Sequence, residues 1–339
     1  MNLPAPEIRT DESDDLAALC KAGGDPLRLN VLRALANDSF GVLELAQIFA
    51  IGQSGMSHHL KVLAQAELVA TRREGNAIFY RRALPHTEQP GGRLHAALLD
   101  ETDNLELPLD VQARISLVHR QRAAASQDFF ARVAEKFRAQ QDLIAGLAQY
   151  RESLLSLLDK LNFGKDATAV EVGPGDGGFL PELAQRFSHV TALDNSPAML
   201  ELARQLCERE ALGNVELRLA DALSDADISA DCVVLNMVLH HFAAPAEALK
   251  QLAHLVQPGG SLLVTELCSH DQSWAKEACG DLWLGFEQED LARWASAAGL
   301  VPGESLYVGL RNGFQIQVRH FQRPAGNPHH QYNSGNPSR

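Results

Sequence analysis

A glycine-rich turn between an apolar strand pattern and a helical pattern constrains this chain more than any other feature. Residues 167–172 read Ala-Thr-Ala-Val-Glu-Val, four glycines follow within 173–178, and a helical pattern begins at Phe179. Glycine lets the backbone turn tightly and lets a ligand come into contact with the main chain. A strand, a glycine-rich turn and a helix in this order form a ligand pocket at the carboxyl edge of a parallel sheet. We therefore predict an α/β domain whose binding site lies at this turn.

An acidic residue after the next strand pattern indicates the kind of ligand. Gly173, Gly175 and Gly178 match Gly-x-Gly-x-x-Gly, a pattern of dinucleotide sites. Asp194 follows the strand pattern 189–193, and a carboxylate there can accept hydrogen bonds from both hydroxyls of a ribose. Both observations predict a ligand that contains adenosine, with a nicotinamide dinucleotide as one alternative.

The motifs that follow distinguish between the ligands. Ala-Asp-Ala at 220–222 and Leu-His-His-Phe at 239–242 each follow a strand pattern, and Pro-Gly-Gly stands at 258–260. Together with Glu-Val-Gly-Pro-Gly-Asp-Gly at 171–177, they resemble class I S-adenosylmethionine-dependent methyltransferases over about the second half of the chain. A nicotinamide site would predict neither the histidine motif nor the Pro-Gly-Gly turn.

This resemblance implies that the domain binds S-adenosylmethionine or S-adenosylhomocysteine, with backbone amides of the glycine turn near the ligand carboxylate. It implies that Glu171 and the region of Asn236 surround the ligand amino group. It places Asp194 at the ribose hydroxyls, and Asp221 and Ala222 at the adenine. The predicted cofactor-binding residues are Glu171, Gly173, Gly175, Gly177, Asp194, Asn195, Asp221, Ala222 and Asn236.

The motifs leave open whether a methyl group is transferred. Transfer depends mainly on the alignment of donor and acceptor, and a base is needed only where the acceptor loses a proton. His240 and His241 are the candidate catalytic residues, and packing against the ligand is an equal alternative for them. Phe129 and Phe137, in the amphipathic stretch 127–161, are expected either to cap the ligand or to pack in the core.

The N-terminal part carries a second set of patterns. Helical patterns at 42–49 and 53–66 are separated by Ile51 and Gly52, which is helix-turn-helix spacing. Strand patterns at 68–73 and 77–82 flank Gly75-Asn76, a two-residue hairpin signal. The hairpin carries four arginines, which suit contacts with DNA phosphates.

Three motifs in this part resemble the ArsR-type winged-helix repressors: Asp-Pro-x-Arg-x-x-x-Leu at 25–32, Ser-x-His-Leu-Lys-Val-Leu at 57–63, and Arg-Glu-Gly-Asn-x-x-x-Tyr at 73–80. The resemblance implies that Gln53, Ser54, Ser57, His58 and His59 face the major groove, while Lys61, Arg72 and Arg73 reach the DNA backbone. For the two histidines, a surface or packing role is the alternative. The cysteine pair of metal-sensing members is absent, since 40–45 read Phe-Gly-Val-Leu-Glu-Leu.

Composition and spacing complete the prediction. The net charge of the chain is −13, yet residues 26–86 hold seven basic and four acidic residues, a local excess of +3 (7 − 4). The five cysteines are scattered, so we predict no disulfide frame and no metal site. Without a signal-peptide pattern or an apolar run of membrane-spanning length, we expect a cytoplasmic protein with no membrane partner.

The predicted fold is multidomain: an α+β winged helix-turn-helix domain followed by an α/β Rossmann-like methyltransferase domain with a terminal antiparallel strand. The antiparallel strand is expected because 305–310 and 314–320 are joined by only three residues. The predicted boundaries are 11–88 for the DNA-binding domain, 89–126 for linker and dimerisation helices, 127–322 for the methyltransferase-like domain and 323–339 for a disordered tail.

Two functions fit this organisation. In the first, the protein is a transcriptional regulator that binds operator DNA as a homodimer and uses an S-adenosyl ligand as its effector. In the second, it is an active small-molecule methyltransferase whose winged helix regulates its own gene. The fusion favours the regulator, because an enzyme has no need of a helix that reads bases.

Overall fold

The computed structural model describes residues 10–74, 77–133, 137–223, 228–272 and 274–325. The chain divides into two compact units between Ala124 and Ala125, and the short segment Asp271–Trp274 is grouped with the first unit. The first unit contains α1 (Thr10–Gly23), α2 (Pro26–Ala34), β1 (Phe40–Gly41), α3 (Val42–Ile48), α4 (Gln53–Gln65), β2 (Val69–Glu74), β3 (Ala77–Arg82), α5 (Gly92–Asp103) and most of α6 (Leu109–Val133). Helix α6 is one continuous element that runs past the predicted end of the linker at 126 into the second unit.

The helix-turn-helix arises from a local pattern of apolar residues. Helix α4 buries Met56, Leu60 and Leu63, which recur every three or four residues and therefore share one face. The turn before it contains Ala50 with φ of +51°, which reverses the chain direction between α3 and α4. Strand β3 pairs with β1 and β2, both antiparallel, so the predicted hairpin is present, although Gly75 and Asn76 lie outside the described residues.

The second unit is built on a single sheet. Its elements are α7 (Phe137–Ile144), α8 (Leu147–Lys160), β4 (Thr168–Val172), α9 (Leu180–Arg186), β5 (His189–Asp194), α10 (Pro197–Arg209), β6 (Val215–Leu219), β7 (Ala230–Asn236), α11 (Pro245–Leu252), β8 (Val256–Leu267), α12 (Trp274–Cys279), α13 (Gln288–Ala297), β9 (Val301–Gly309) and β10 (Gln315–Gln322). Central strands such as β4 and β7 are almost wholly buried, as expected for parallel strands covered on both faces.

The order of the strands positions the ligand site. The sheet runs β6-β5-β4-β7-β8-β10-β9, and the pairs among the first five strands are parallel. From β4 the chain proceeds to one side of the sheet, and from β7 to the other, so β4 and β7 flank the switch point where ligands bind in such sheets. The predicted antiparallel strand is confirmed as β10, which lies between β8 and β9 and not at the sheet edge.

None of the helices within the described ranges is long and apolar enough to cross a membrane.

Candidate functional site

The turn after β4 requires glycine at its first position. Gly173 has φ of +65°, and a Cβ added there would stand 2.3 Å from Cγ2 of Val238, the second residue after β7. The Gly173 amide donates to the carbonyl of Leu193 at 2.8 Å. A side chain at Gly173 would therefore both strain the backbone and separate the ends of β4 and β7.

Several amides of this turn are used within the protein. Besides Gly173, the Gly177 amide donates to the Pro174 carbonyl at 2.9 Å, and the Gly178 amide donates to Oδ1 of Asp176 at 3.2 Å. The expectation that amides of the turn meet a ligand carboxylate stays a prediction. The three hydrogen bonds hold the turn in shape, and its glycines supply a surface that a ligand can approach closely.

Two buried acceptors lie at the carboxyl ends of the strands that flank the switch point. Glu171 of β4 is 1% exposed, and Asn236 is the last residue of β7. Among the described residues, Oε2 of Glu171 has no hydrogen-bond partner, and Oδ1 of Asn236 has none either, although the Asn236 side chain interacts with that of Tyr150. A buried acceptor without a donor costs free energy, so this position suits a ligand that brings N–H donors.

Burial also changes the protonation of Glu171. It raises the pKa of this carboxyl to about 8, and the nearby Asp176 carboxylate adds to the rise. The acid is therefore largely protonated at neutral pH when no ligand is bound. A cation placed next to it would favour the carboxylate form.

The neighbouring strands end in the remaining predicted ligand residues. Asp194 ends β5, is 9% exposed and accepts a hydrogen bond from the Ser196 amide at 2.8 Å. Burial raises its pKa to about 6, against hydrogen bonds from the Ser196 and Asn195 amides. Asn195 is exposed, and after β6 Asp221 is exposed while Ala222 is buried. These positions line one edge of the sheet, in the order of β4, β5 and β6.

His240 lies between two buried carboxylates. Its Nδ1 is 2.7 Å from Oε2 of Glu266, and its Nε2 is 3.6 Å from Oδ1 of Asp281. Burial alone would lower the pKa of His240, but the Glu266 and Asp281 carboxylates raise it to about 9. The two carboxylates therefore favour the protonated ring, which disfavours His240 as a general base.

His241 has the opposite character. Its Nδ1 lies 3.3 Å from the Gly280 carbonyl, and its ring meets the Phe130 ring edge-on at 4.7 Å. Burial and the neighbouring His240 lower the pKa of His241 well below its usual value. Both histidines line a cavity of the second unit together with Phe129, Gln141, Ile144, Ala145, Met237, Leu267, Cys279 and Asp281. Phe129 thus lines this cavity, and its role as a cap over the ligand stays a prediction; the side chain of Phe137 is outside the described residues.

In the first unit, α4 presents a polar face. Opposite its buried residues, the side chains of Gln53, Ser54, Ser57, His58 and Lys61 are exposed. His59 is placed differently: it is half-buried, with Nδ1 3.9 Å from Oδ1 of Asp25. The exposed residues form a contiguous surface, called the α4 face below.

The arginines of the first unit do not all face outward. Arg82 of β3 donates to the Leu32 carbonyl at 2.6 Å and pairs with Asp103 at 2.8 Å, which joins the sheet to α2 and α5. The guanidinium of Arg82 thus binds groups of its own unit, and Arg82 is not among the residues predicted to reach the DNA backbone. On β2, Arg72 is half-buried and Arg73 is exposed.

Helix α6 is attached to the segment that carries the helix-turn-helix. His119 lies 2.6 Å from Asp38, and Arg122 donates two hydrogen bonds to Glu44 at 2.6 and 2.8 Å. Arg114 donates to the Ile48 carbonyl at the end of α3. Seven residues beyond Arg122, the same helix supplies Phe129 to the cavity of the second unit.

Comparisons with known proteins agree with this division. Residues 24–72 match a helix-turn-helix domain family, and residues 170–264 match a methyltransferase domain family. The transcriptional repressor SmtB homolog of Synechocystis is 34% identical over 82 residues, 24% of this chain and 62% of that protein. The ubiquinone biosynthesis O-methyltransferase of Xylella fastidiosa is 33% identical over 104 residues, 30% of this chain and 42% of that protein. The chain thus spans less than two thirds of the length of the curated relatives it matches.

Among solved structures, the cyclase SpnF superposes with a TM-score of 0.50 at 15% identity, covering 60% of this chain and 97% of that one. At this identity the likeness concerns the fold alone. The two domain matches confirm the predicted fusion of an ArsR-type helix-turn-helix domain with a methyltransferase domain.

The sequence analysis did not identify three residues near the candidate site of the second unit. Glu266 ends a buried apolar run in β8, and a charge within such a run is a signal that was available. Tyr150 of α8 is buried, and burial together with carboxylates that include Glu171 raises its pKa above the usual range. Asp281 follows His240 by 41 residues (281 − 240) in a stretch without any motif.

Proposed function

We propose that this chain, which joins a helix-turn-helix domain to a methyltransferase domain, is a transcriptional regulator whose second unit binds S-adenosylmethionine or S-adenosylhomocysteine as an effector. The first unit binds double-stranded operator DNA through the α4 face, with Arg72 and Arg73 at the phosphates, and a homodimer reads an inverted repeat. His58 takes the base-contacting role predicted for both histidines, since His59 is turned toward Asp25.

The acceptors of the second unit match the chemistry of this ligand. Its amino-acid end carries an ammonium group, which can donate to Oε2 of Glu171 and Oδ1 of Asn236. Its ribose offers a diol to Asp194, one strand further along the sheet edge. Asp221 and Ala222, after β6, then flank the adenine. A ligand of this kind supplies the donors that the two buried acceptors lack.

The observation that carries the regulatory proposal is the pair of contacts along α6. His119 pairs with Asp38, which precedes the helix-turn-helix, and Arg122 pairs with Glu44 of α3. Further along the same helix, Phe129 lines the cavity. A ligand that displaces Phe129 acts on the helix that also fixes α3. The ligand must bind the conformation that binds DNA and the one that does not with different affinities. A difference of about 1–3 kcal/mol changes the DNA affinity roughly 5–150-fold.

Active methyl transfer is the second candidate function. The observation in its favour is His241, which has a lowered pKa, stays neutral at physiological pH and lines a cavity beside the switch point. The raised pKa of His240 favours a role as a hydrogen-bond donor over that of a base. If the domain is an enzyme, His241 is the base for an acceptor that must lose a proton, and His240 orients or stabilises negative charge.

Calorimetry with each ligand tests the binding proposal. We expect Asp194→Ala to weaken the binding of both S-adenosyl ligands, while Asp166→Ala, an exposed aspartate before β4, leaves it unchanged. Equal binding by Asp194→Ala and wild type, or preference for a nicotinamide nucleotide, would contradict it. A turnover assay with candidate acceptors separates the two functions, since a pure regulator forms no methylated product.

A further inference from the structure

A cluster of metal-ligating side chains lines the cavity of the second unit. One ligand atom from each of His240, His241 and Asp281 lies within 4.8 Å of the other two. We propose that these three residues form a binding site for a divalent transition-metal ion such as Zn²⁺. This inference is independent of the DNA-binding and S-adenosyl proposals.

The spacing of the ligand atoms suits such an ion. Zinc bonds to imidazole nitrogen and carboxylate oxygen are about 2.0–2.2 Å long, which puts neighbouring tetrahedral ligands ~3.4 Å apart. Nε2 of His240 and Oδ1 of Asp281 are already 3.6 Å apart. All the separations in the cluster are within 4.8 Å, so small side-chain rotations can bring the three ligand atoms to coordination distance.

Each of the two histidines has a hydrogen-bond acceptor next to its Nδ1 atom, so Nε2 is the candidate metal ligand in both. The Gly280 carbonyl can only accept, so the contact at 3.3 Å requires the proton of His241 to be on Nδ1. The Glu266 carboxylate accepts from Nδ1 of His240 at 2.7 Å. A metal-bound histidine commonly donates its other N–H to a carboxylate or a backbone carbonyl, which fixes its orientation. Both arrangements occur here.

Backbone hydrogen bonds hold the two parts of the cluster together. The amides of Leu282 and Trp283 donate to the His240 carbonyl at 3.1 and 3.3 Å. Nε1 of Trp283 donates to the Phe242 carbonyl at 2.7 Å. These bonds fix Asp281, which is distant in sequence, against the histidine pair. The three donors are therefore positioned by the fold before any ion binds.

The donor set selects the class of metal. Two imidazoles and one carboxylate suit Zn²⁺, Co²⁺ or Fe²⁺, whereas Mg²⁺ and Ca²⁺ prefer oxygen ligands. Three protein ligands leave at least one coordination position, as in catalytic zinc sites. The same cavity is also lined by Met237 and Leu267, so it has room for water or a small oxygen or sulfur donor to take that position.

Metal binding to the full-length, metal-stripped protein tests this inference. Co²⁺ is the optical probe, and X-ray absorption of the Zn²⁺-loaded wild type reports the ligand atoms directly. We expect one tightly bound ion per chain, coordinated by two imidazoles and oxygen without sulfur. Glu266→Gln should lower the affinity by about 10–100-fold, and Asp281→Asn and His241→Gln should lower it further.

Two control variants address other donors in the chain. Cys279→Ser removes the thiol that lines the same cavity, and a double substitution of His329 and His330 by Ala removes the histidine pair of the C-terminal tail. Both should bind the ion as wild type does. The absence of stoichiometric binding, sulfur in the coordination shell, or loss of binding in either control variant would overturn the inference. The X-ray absorption spectrum of the Zn²⁺-loaded wild type identifies the ligand atoms even if a variant of the cluster fails to fold.

Discussion

Glu171 shows how one buried side chain connects the sequence to ligand binding. Its position at the end of β4 follows from the local strand and turn pattern, and its burial follows from the parallel strands on either side. The pKa of about 8 arises from that burial and from Asp176. An ammonium group next to Glu171 would favour the ionised carboxylate, so ligand binding and proton release are linked.

This linkage predicts pH-dependent binding of S-adenosylhomocysteine. Between pH 6 and 8 the affinity of the wild type should rise, by at most ~10-fold per pH unit, because fewer molecules carry the Glu171 proton that must leave. Calorimetry in buffers of different ionisation enthalpy should show proton release at pH 7. Glu171→Gln should bind more weakly and without that release, while Glu201→Gln, exposed on α10, should behave as wild type. Equal proton release in Glu171→Gln would rule out this role of the carboxyl.

The same side chain predicts the pH dependence of stability without ligand. The pKa of Glu171 is raised in the folded state, so the folded state holds this proton between the ordinary pKa of 4.5 and about 8. The associated stability is present below pH 4.5 and is lost as the pH rises through 8. Glu171→Gln should therefore unfold at a higher temperature than wild type at pH 8, with little difference at pH 4.5. A lower melting temperature for Glu171→Gln than for wild type at pH 8 would contradict the claim that the buried Glu171 carboxylate is destabilising.

At the scale of elements, α4 and α6 carry the proposed DNA binding and its regulation. The periodic burial of Met56, Leu60 and Leu63 leaves the α4 face exposed. Gly55 lies within this helix, and a Cβ added there would meet only Cδ1 of Ile51, at 3.9 Å. Gly55 therefore lowers the stability of α4, and no packing contact within the described chain requires a glycine at this position.

Gly55→Ala should stabilise the first unit by about 1 kcal/mol, since alanine favours the helix interior and the added methyl fits. Thermal unfolding followed by circular dichroism measures the change. Gly52→Ala is the matched control, because Gly52 is the N-cap of α4 and lies outside the helix interior, so no such gain is expected there. A lower stability for Gly55→Ala would mean that the position is strained by contacts other than those described.

Substitutions on the α4 face should separate base contacts from phosphate contacts. Ser57→Ala should relax sequence preference at one operator position by about 1–3 kcal/mol. Lys61→Ala should weaken binding to all sequences and reduce the slope of log affinity against log salt by about 1. Gln65→Ala, exposed at the C-terminal end of α4, is the control. If each of the three substitutions changed the affinity for all DNA sequences equally, base reading by this helix would be excluded.

The elements of both units were predictable because their signals are local. The strand, glycine turn and helix around Gly173, and the apolar spacing in α4, each lie within about a dozen residues. Contacts between distant segments were not predictable in this way. Asp281 meets His240 only because β7 and the segment after α12 meet at one sheet edge, and Arg82 binds Leu32 and Asp103 only once α2 and α5 pack on the hairpin.

At the scale of the whole molecule, α6 links the two proposed binding functions. Between Arg122 and Phe129 it contains three exposed alanines, at 123–125. Replacing all three by glycine should weaken the helix by up to ~1 kcal/mol per residue and reduce the effect of ligand on DNA affinity, with each affinity measured alone little changed. Replacing them by glutamine, a good helix former, should preserve the coupling. Full coupling in the glycine variant would show that α6 does not transmit the signal.

The central claim is that ligand and operator binding are thermodynamically coupled. Its most direct test is calorimetric titration of S-adenosylmethionine and of S-adenosylhomocysteine into the wild-type protein, with and without an operator fragment selected from random DNA. We expect operator DNA to change the affinity of at least one ligand by ~5–150-fold, and that ligand to change operator affinity by the same factor. We also expect the two ligands to differ, because the methyl group and its charge distinguish them. Ligand affinities that are identical with and without operator would contradict the account: the two units would be independent modules, and the enzyme hypothesis would become the leading one.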